Sequence, residues 1–350
     1  MAGTLDGARA QQAGSPRRIE RTKGPYVTEP TMDAELANWL ATTPVEADDA
    51  ASIEEARAVS GRAHKLAQQH LNPALIPASE ADQEIDSPHG PLPIRVLRPA
   101  GAEARPTVVY FHGGGWIAGD IDTHLGHARR ICTQADMVVV SVGYRLAPEH
   151  PFPAAFEDAV LATEWAAQRT EELGGEAGTL ILAGDSAGAQ LAASVAIARR
   201  DAGQPVSAQL LLYPVTDVAG RYSDPEVNAR YMSRRTAGNS LGLTLQGMVN
   251  FAVNYVDEQS SADWRVSPMR APDHSGLAPA VIHTATLDLL RTEGNFYGDA
   301  LRRAGVRVIS REWPTLNHSY FGFGGVSAVA DSAAAQAAED LRNLLAGGSN

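Results

Sequence analysis

The pentapeptide Gly-Asp-Ser-Ala-Gly at 184–188 has the composition of a tight turn that presents a serine. An apolar run at 180–183 precedes it, and a helix-forming run at 189–198 follows it. In a G-x-S-x-G turn between a strand and a helix, the serine takes a strained conformation, and the flanking glycines let neighbouring backbone approach. The pattern alone is weak, because an ordinary glycine-rich turn can contain a serine. The flanking strand and helix favour Ser186 as a nucleophile.

A second glycine-rich motif, His-Gly-Gly-Gly-Trp at 112–116, directly follows an apolar run at 107–111. Consecutive glycines after a buried strand leave backbone N–H groups free to point into one cavity, as an anionic tetrahedral intermediate requires. We predict that the N–H groups of Gly114, Gly115 and Ala187 form an oxyanion hole. The alternative is a phosphate-binding loop, but the chain has neither the lysine of a P-loop nor G-x-G-x-x-G spacing.

A nucleophilic serine needs a histidine base, and that histidine needs a carboxylate that fixes its tautomer. In chains with this serine turn, the order is serine, acid, histidine. We therefore predict that His318 is the base, since it leaves room for an acid between itself and Ser186. His274 falls in a long loop. His283 falls inside an apolar strand, where a hydrogen-bonded core histidine is the favoured interpretation.

The acid is expected just after the apolar run at 281–284, which selects Asp288. Glu293 and Asp299 fall at the start of the next helix and within it, where acidic residues usually complement the helix dipole or face solvent. Asp185 is too close to the serine in sequence to orient the histidine, so we interpret it as a structural residue of the turn. The predicted chemistry is acyl transfer that requires no metal and no organic cofactor.

Short β-rich runs alternate with helical runs after Pro91, which predicts an α/β fold with a mostly parallel sheet covered by helices on both faces. The predicted strands lie at 94–97, 107–111, 137–142, 180–183, 209–213, 281–284 and 306–310. The predicted helices lie at 154–169, 187–200, 294–303 and 332–345.

Two further segments are expected to cover the sheet. Helical spacing at 33–71 predicts two helices before the sheet, and the stretch 214–279 lacks a good buried strand, so we predict that it folds as helices. The predicted organisation is a flexible arm at 1–26, cap helices at 27–90, and a catalytic domain at 91–350 with a cap insertion at about 216–275. Candidate pocket residues are Trp116, Tyr222, Met232, Met248 and Phe251, with simple packing as the alternative for each.

The composition excludes several classes of partner. A net charge of −12 without a basic run argues against nucleic acid and acidic membrane surfaces. Cys132 is the single cysteine, which rules out an intrachain disulfide and argues against a thiolate-bound metal. The sequence has neither a secretory leader nor an apolar stretch long enough to span a membrane, so we expect a cytoplasmic location.

From about residue 91 onward the chain resembles the hormone-sensitive-lipase-like (bacterial family IV) esterases of the α/β-hydrolase fold. The resemblance rests on the two glycine motifs and on Gly119-Asp120, Asp122-Thr123-His124, Tyr144-Arg145-Leu146-Ala147-Pro148-Glu149 and Phe152-Pro153-Ala154-Ala155. It implies the same roles for the serine turn and the glycine loop, a structural role for Arg145 and Glu149, and a homodimer.

The chain departs from this family in two places. The family usually has proline after its acid and Asp-Glu-Gly after the following arginine, whereas Asp288 is followed by Leu-Leu-Arg-Thr-Glu-Gly. Glycine and phenylalanine commonly follow the family's histidine, whereas Ser319 and Tyr320 follow His318. The first difference affects the geometry of the turn that contains Asp288. The second alters the edge of the expected pocket and therefore bears on substrate preference more than on catalysis.

The resulting functional prediction is a carboxylic ester hydrolase that acts on short to medium acyl esters of small molecules. An amidase or a thioesterase with the same triad is an open alternative, because one nucleophile and one oxyanion hole serve all three leaving groups. A ligand-binding protein without catalysis, like the similar gibberellin receptors that lack the histidine, is a further alternative.

Overall fold

The computed structural model describes residues 31–43, 52–69, 72–237, 239–240 and 242–347, so the arm predicted at 1–26 lies outside the described residues. The strands of this part are β1 (Ser79–Ile85), β2 (Leu92–Arg98), β3 (Arg105–Phe111), β4 (Val138–Val142), β5 (Gly175–Asp185), β6 (Ala208–Leu212), β7 (Asn239–Ser240), β8 (Leu243–Thr244), β9 (Ala280–Leu287) and β10 (Val308–Asn317). All except β7 and β8 form one sheet, in the order β1-β2-β4-β3-β5-β6-β9-β10.

The sheet is mostly parallel. β2 pairs antiparallel with β1 and β4, and every other neighbouring pair in the sheet is parallel. β4 has the sequence Val-Val-Val-Ser-Val and is buried along its whole length, because helices cover both faces of the sheet. The predicted α/β fold is confirmed.

The helices of the described part are α1 (Ala34–Thr42), α2 (Ile53–Gln68), α3 (Leu125–Gln134), α4 (Ala154–Gln168), α5 (Ala187–Asp201), α6 (Pro225–Asn228), α7 (Met232–Thr236), α8 (Leu245–Tyr255), α9 (Arg291–Arg303) and α10 (Ala328–Ala346). Of these, α3, α4, α5, α9 and α10 pack against the sheet. One hydrophobic core contains the buried residues of α1, α3 and α10, and a second contains those of α4, α5, α8 and α9. In the described residues no helix is both long and apolar enough to cross a membrane.

β1 corrects the predicted N-terminal organisation. The sequence analysis placed 27–90 among the cap helices, but Ser79–Ile85 forms an edge strand that pairs antiparallel with β2. Most of its side chains are exposed and Ile85 is its single buried residue, so the strand lacks the apolar alternation that sequence analysis depends on. The sheet therefore begins before residue 91.

β10 extends further than predicted. The apolar run predicted a strand at 306–310, whereas β10 spans Val308–Asn317 and its pairing with β9 shifts register between Trp313 and Asn317. Its central residues are exposed and polar, which explains why the apolar pattern stops early. The extension ends directly before His318.

Helix α2 is fastened to the loops around the sheet through one arginine. Arg57 donates to the carbonyl oxygens of Ile117 at 2.6 Å and Ala147 at 2.9 Å, and its guanidinium also contacts the Glu149 carboxylate at 2.6 Å. This ion pair holds the pKa of Glu149 at about 2, chiefly through the hydrogen bond from the guanidinium. Glu149 thus connects the loop after β4 to an N-terminal helix.

Candidate active site

Ser186 occupies the turn between β5 and α5. Its backbone has φ 53° and ψ −118°, a left-handed conformation that is unfavourable for a residue with a Cβ. The neighbouring glycines allow the turn to pack: a Cβ on Gly184 would overlap the backbone of Gly188, and a Cβ on Gly188 would overlap the carbonyl oxygen of Phe111. The turn therefore requires both glycines of the pentapeptide and holds Ser186 in a strained conformation.

Asp185 joins this turn to the glycine loop after β3. Its Oδ1 accepts hydrogen bonds from the Tyr110 hydroxyl at 2.6 Å and from the Gly113 N–H at 2.8 Å. Burial raises the pKa of Asp185 to about 6, against the lowering effect of these hydrogen bonds. The loop is held from its other side by Tyr144, whose hydroxyl donates to the His112 carbonyl at 2.7 Å.

His318 follows β10 directly and lies between the serine and an acid. Its Nε2 is 2.9 Å from Ser186 Oγ, and its Nδ1 is 2.8 Å from Asp288 Oδ2. A carboxylate oxygen accepts, so Nδ1–H donates to Asp288 and Nε2 presents its lone pair to the serine hydroxyl. Ser319 takes a left-handed φ of 65°, at the position where glycine is common in the resembled family.

Asp288 follows β9 and is fully buried. Its Oδ1 accepts from the Leu290 N–H at 2.8 Å, and its Oδ2 faces His318. Each of the parallel strands β5, β9 and β10 is thus followed directly by the residue that sequence analysis selected as nucleophile, acid or base. The structure brings these three side chains into one hydrogen-bonded chain.

The proposed oxyanion donors lie around the serine. Gly114 and Gly115 line the same cavity as Ser186, and Ala187 is the first residue of α5. In the described part of the chain, none of the three backbone N–H groups has a hydrogen-bond acceptor. Gly114 has φ 115° and Gly115 has φ 60°, and a Cβ on Gly114 would overlap the carbonyl of Ala118, so the loop conformation requires glycine.

The cavity at the serine has a volume of about 90 Å³. Its wall contains Ser186 and His318 together with side chains from α1, α2, α8 and several loops and strand ends. The apolar side chains are Leu40, Ala56, Ala63, Ala118, Leu243, Phe251 and Phe323, and the other polar ones are Ser60, His64, His124, Asp185 and Ser319.

Of the five candidate pocket residues, the structure places Phe251 on this cavity and the other four elsewhere. Trp116 is buried, donates to Gln190 and stacks on Tyr255, and Met248 is buried in the core. Tyr222 is buried beside a carboxylate outside the cavity, and Met232 is 64% exposed. For these four, packing or solvent exposure is the observed environment, and the prediction of a pocket role is not supported.

Sequence analysis expected the N-terminal helices to belong to a cap but selected none of their residues as pocket wall. Leu40, Ala56, Ala63 and His64 reach it from these helices. The small residues on the buried face of α2 recur at helical spacing, and Ser52 caps the helix by accepting from the Glu55 N–H. The sequence therefore predicts the helix and its buried face, but the position of the helix over the serine comes from tertiary contacts such as those of Arg57.

The other two histidines considered in the sequence, His274 and His283, have partners away from Ser186. His283 is buried in β9 and hydrogen-bonds to Asp340 at 3.0 Å, as a core histidine does. His274 contacts the Pro268 carbonyl at 3.0 Å through its Nε2. Neither lies among the residues that line the serine cavity.

Residues 108–322 match a protein family described as having the alpha/beta hydrolase fold. The carboxylic ester hydrolase LipN of Mycobacterium tuberculosis is 39% identical over an alignment that covers 85% of this chain and 80% of LipN. The esterase LipI of the same organism is 38% identical, and the alignment covers 91% of this chain and 97% of LipI.

A hyperthermophilic esterase from the archaeon Pyrobaculum calidifontis is similar in structure. The two chains superpose with a TM-score of 0.81 and 33% sequence identity, and the match covers 90% of this chain and 99% of that chain. The segment 108–322 that matches the family contains both glycine motifs, at 112–116 and 184–188. The chain belongs to the hormone-sensitive-lipase-like family of esterases with the α/β-hydrolase fold.

Proposed function

We propose that this carboxylesterase hydrolyses short to medium acyl esters through a triad of Ser186, His318 and Asp288. The observation that supports the triad most directly is the position of His318, whose two ring nitrogens lie 2.9 Å from Ser186 Oγ and 2.8 Å from Asp288 Oδ2. A base within hydrogen-bond reach of the nucleophile and oriented by a carboxylate is the arrangement that activates a serine.

The first half-reaction transfers the acyl group to the enzyme. His318 Nε2 takes the hydroxyl proton as Ser186 Oγ attacks the ester carbonyl, and Asp288 stabilises the imidazolium that forms. The N–H groups of Gly114, Gly115 and Ala187 donate to the oxyanion of the tetrahedral intermediate. When this intermediate collapses, the imidazolium returns its proton to the leaving alcohol.

The second half-reaction releases the acid. Water enters after the alcohol leaves, His318 takes a proton from it, and the resulting hydroxide attacks the acyl-enzyme carbonyl. The same backbone donors hold the second oxyanion, and Ser186 regains its proton from His318 as the carboxylic acid departs. The residues of this chain supply every proton transfer that the proposal needs.

The cavity favours the short end of the acyl range. Its volume of about 90 Å³ is small beside the roughly 300–1,000 Å³ of a typical ligand pocket, so it holds a short acyl group more readily than a long one. In this proposal α1, α2 and the segment between β6 and β9 form a cap, because Leu40, Ala63 and Phe251 close the cavity from these elements. The homodimer and the cytoplasmic location remain predictions from the sequence.

A chromogenic ester series from acetyl to dodecanoyl tests the proposal. We expect rapid turnover of the short esters, and Ser186→Ala is expected to lower kcat by at least about 10³-fold. The matched control is Ser194→Ala, which removes another buried serine of α5 that hydrogen-bonds to Gln190 rather than to a histidine. Near-normal turnover by Ser186→Ala would exclude the triad.

Matched ester, thioester and amide substrates distinguish the alternative leaving groups. We expect the ester to react much faster than the amide, because an amine is a poorer leaving group than an alcohol. A thioester that reacts much faster than the matched ester would favour a thioesterase. A phosphonate ester should also label one serine, and mass spectrometry of the digested protein should locate it at Ser186. Tight binding of esters without turnover or labelling would instead favour a non-catalytic ligand-binding protein.

A further inference from the structure

Three buried side chains meet behind one wall of the serine cavity. His124 and His127 are at the start of α3, three residues apart and therefore on one helix face, and Asp185 ends β5. One ring nitrogen from each histidine and one carboxylate oxygen of Asp185 lie within 4.8 Å of one another. All three residues are at most 2% exposed.

His127 has no hydrogen-bond partner for either ring nitrogen among the described residues. A neutral imidazole has one donor and one acceptor nitrogen, and buried polar groups are nearly always paired. The neighbours of this ring include the aromatic side chains of Tyr110 and Phe321, which contact it by stacking rather than by hydrogen bonds. A fully buried histidine without a polar partner points to a ligand at its nitrogens.

Asp185 and His124 face each other without a hydrogen bond. The Oδ1 atom of Asp185 is occupied by Tyr110 and Gly113, whereas its Oδ2 lies 3.8 Å from His124 Nε2. That separation is too long for a direct hydrogen bond.

The other nitrogen of His124 is already committed. Its Nδ1 lies 3.0 Å from Thr123 Oγ1, and this hydroxyl lies 3.0 Å from the Asp120 carbonyl, to which it donates. Because the hydroxyl proton of Thr123 is used in this bond, Thr123 Oγ1 can only accept from His124. Nδ1 of His124 therefore carries the ring proton, and Nε2 keeps its lone pair. The lone pair of His124 Nε2 and that of one nitrogen of His127 are therefore both near the carboxylate of Asp185.

We propose that His124, His127 and Asp185 form a binding site for one divalent transition-metal ion of the zinc type. Two imidazoles and a carboxylate are a donor set that zinc accepts, with metal–ligand distances of about 2.0–2.2 Å. Tetrahedral ligand atoms at such distances lie roughly 3.3 Å apart, so the observed separations close by about 0.5 Å to 1.5 Å when the ion binds. A divalent cation would satisfy all the converging acceptors at once.

The surroundings of the site meet two further requirements of a metal centre. Metal-binding side chains are usually oriented by hydrogen bonds at their other polar atom, as Thr123 orients His124 and as Tyr110 and Gly113 orient Asp185. His124 and Asp185 also line the serine cavity, which gives an ion a path from solvent and leaves a coordination position open toward the cavity.

The ring of His64 lies beside that of His124 and also lines the serine cavity. Its ring centroid is 4.7 Å from that of His124, and its Nδ1 contacts the Ser60 carbonyl at 2.9 Å. Because a carbonyl only accepts, Nδ1 carries the proton and Nε2 is an acceptor. His64 therefore adds a further lone pair near the three ligands, from a helix that precedes the sheet.

The sequence analysis predicted no metal, and the proposed ion takes no part in the proposed triad. The site was not visible in the sequence because Asp185 is far from the two histidines along the chain and because the single cysteine provides no thiolate pattern. A bound water is the competing occupant, since one water molecule donates two hydrogen bonds to such acceptors.

Equilibrium dialysis of the whole, chelator-stripped protein against Zn²⁺ tests the proposal. We expect one ion per chain, and His127→Leu is expected to weaken binding by at least about 100-fold. The matched control His274→Asn removes a histidine outside the cluster and should bind like the wild type. If the wild type binds no stoichiometric zinc, or if His127→Leu binds as tightly, the site holds water or adventitious ions and the proposal is wrong.

Two further measurements keep the test independent of folding and of activity. Cobalt in place of zinc should give visible absorption bands of a low-symmetry, four- or five-coordinate site in the wild type and in His274→Asn, but not in His127→Leu. Zinc at a concentration that saturates the wild type should raise the Tm of the wild type but not that of His127→Leu, since a ligand that binds only the folded state stabilises it. Equal shifts in both proteins would also overturn the proposal.

Discussion

Arg234 and Glu293 form an ion pair with an N–O distance of 2.6 Å, and both side chains are fully buried. Arg234 belongs to α7 in the segment between β6 and β9, whereas Glu293 lies in the first turn of α9, shortly after Asp288. Next to this pair, Ser233 Oγ donates to the Leu289 carbonyl at 2.6 Å and accepts from the Thr292 N–H at 3.0 Å. The segment is thereby fastened to the turn that contains the proposed acid.

These contacts bear on the departures from the family pattern at the acid turn. Leu289 stands where the family usually has proline, and Thr292 where it usually has aspartate. The Thr292 hydroxyl accepts from the Ser233 N–H at 3.0 Å, so each of these two residues contacts the backbone of the other. This reciprocal pair of hydrogen bonds holds the turn without the proline.

Replacing Arg234 should destabilise the protein strongly. Arg234→Met leaves the buried Glu293 carboxylate without its cation, and breaking one side of a buried ion pair typically costs about 3–5 kcal/mol. Burial already raises the pKa of Glu293, so the unpaired carboxylate will tend to take up a proton. Urea denaturation should show the loss in the free energy of unfolding.

The double variant Arg234→Met/Glu293→Gln is the control for this prediction. It removes the buried charge together with its partner and should recover part of the stability, since Thr216 N–H and the Tyr222 hydroxyl can still donate to the amide oxygen. A single variant that loses less than about 1 kcal/mol would contradict the assignment of a tightly coupled buried pair.

Two buried His–Asp pairs allow a matched test of the triad. Asp288→Asn should lower kcat by about 10³–10⁴-fold with little change in folding, because an amide cannot hold the required tautomer or stabilise the imidazolium. His283→Asn breaks the second pair, His283 with Asp340, which lies outside the serine cavity and keeps Arg311 as a further partner of the acid. That variant should retain kcat and lose stability. The opposite result would assign the catalytic pair to β9 and α10.

The sequence was sufficient to predict the serine turn because its strand, its glycines and its helix are consecutive in the chain. Gly184 is required by the backbone of Gly188 within the turn, and Gly188 is required by the Phe111 carbonyl at the end of the neighbouring strand β3. The order of Ser186, Asp288 and His318 along the chain also follows from the parallel strands that precede them. These inferences needed no knowledge of how distant helices pack.

The cavity wall could not be predicted in this way. Trp116 and Met248 are apolar and are candidates for the pocket with packing as the alternative, and in the structure both are buried in the core. Which apolar residue faces the cavity depends on how α2 and α8 pack over the sheet. The periodicity of their sequences shows which helix face is buried, but not which other element that face contacts. The Arg234–Glu293 pair was missed because it joins elements far apart in the chain.

Phe251 should control the length of acyl group that the enzyme accepts. It lines the cavity, and a Cβ on Gly115 would overlap its ring, so its side chain packs directly on the glycine loop. Phe251→Ala should raise the ratio of kcat/KM for octanoyl over butanoyl esters by about tenfold or more, since each accommodated methylene changes transition-state binding. Val253→Ala on the exposed face of α8 is the control and should leave the ratio unchanged.

Cys132 should be inert in the folded protein and should make stability depend on alkaline pH. Burial raises its pKa to about 12 from an ordinary value of 9.0, so the folded thiol stays protonated where the unfolded thiol ionises. The thiol's contribution to the free energy of unfolding is fully present below about pH 9 and is lost as the pH rises toward 12. Between pH 9 and pH 10 the loss is about 1 kcal/mol. Cys132→Ala should lack this pH-dependent loss of stability when both proteins are unfolded in urea at the two pH values.

A thiol reagent at about pH 8 tests the burial of Cys132 directly. It should modify one group per chain after unfolding and none before it, and rapid modification of the native protein would show that the thiol is accessible.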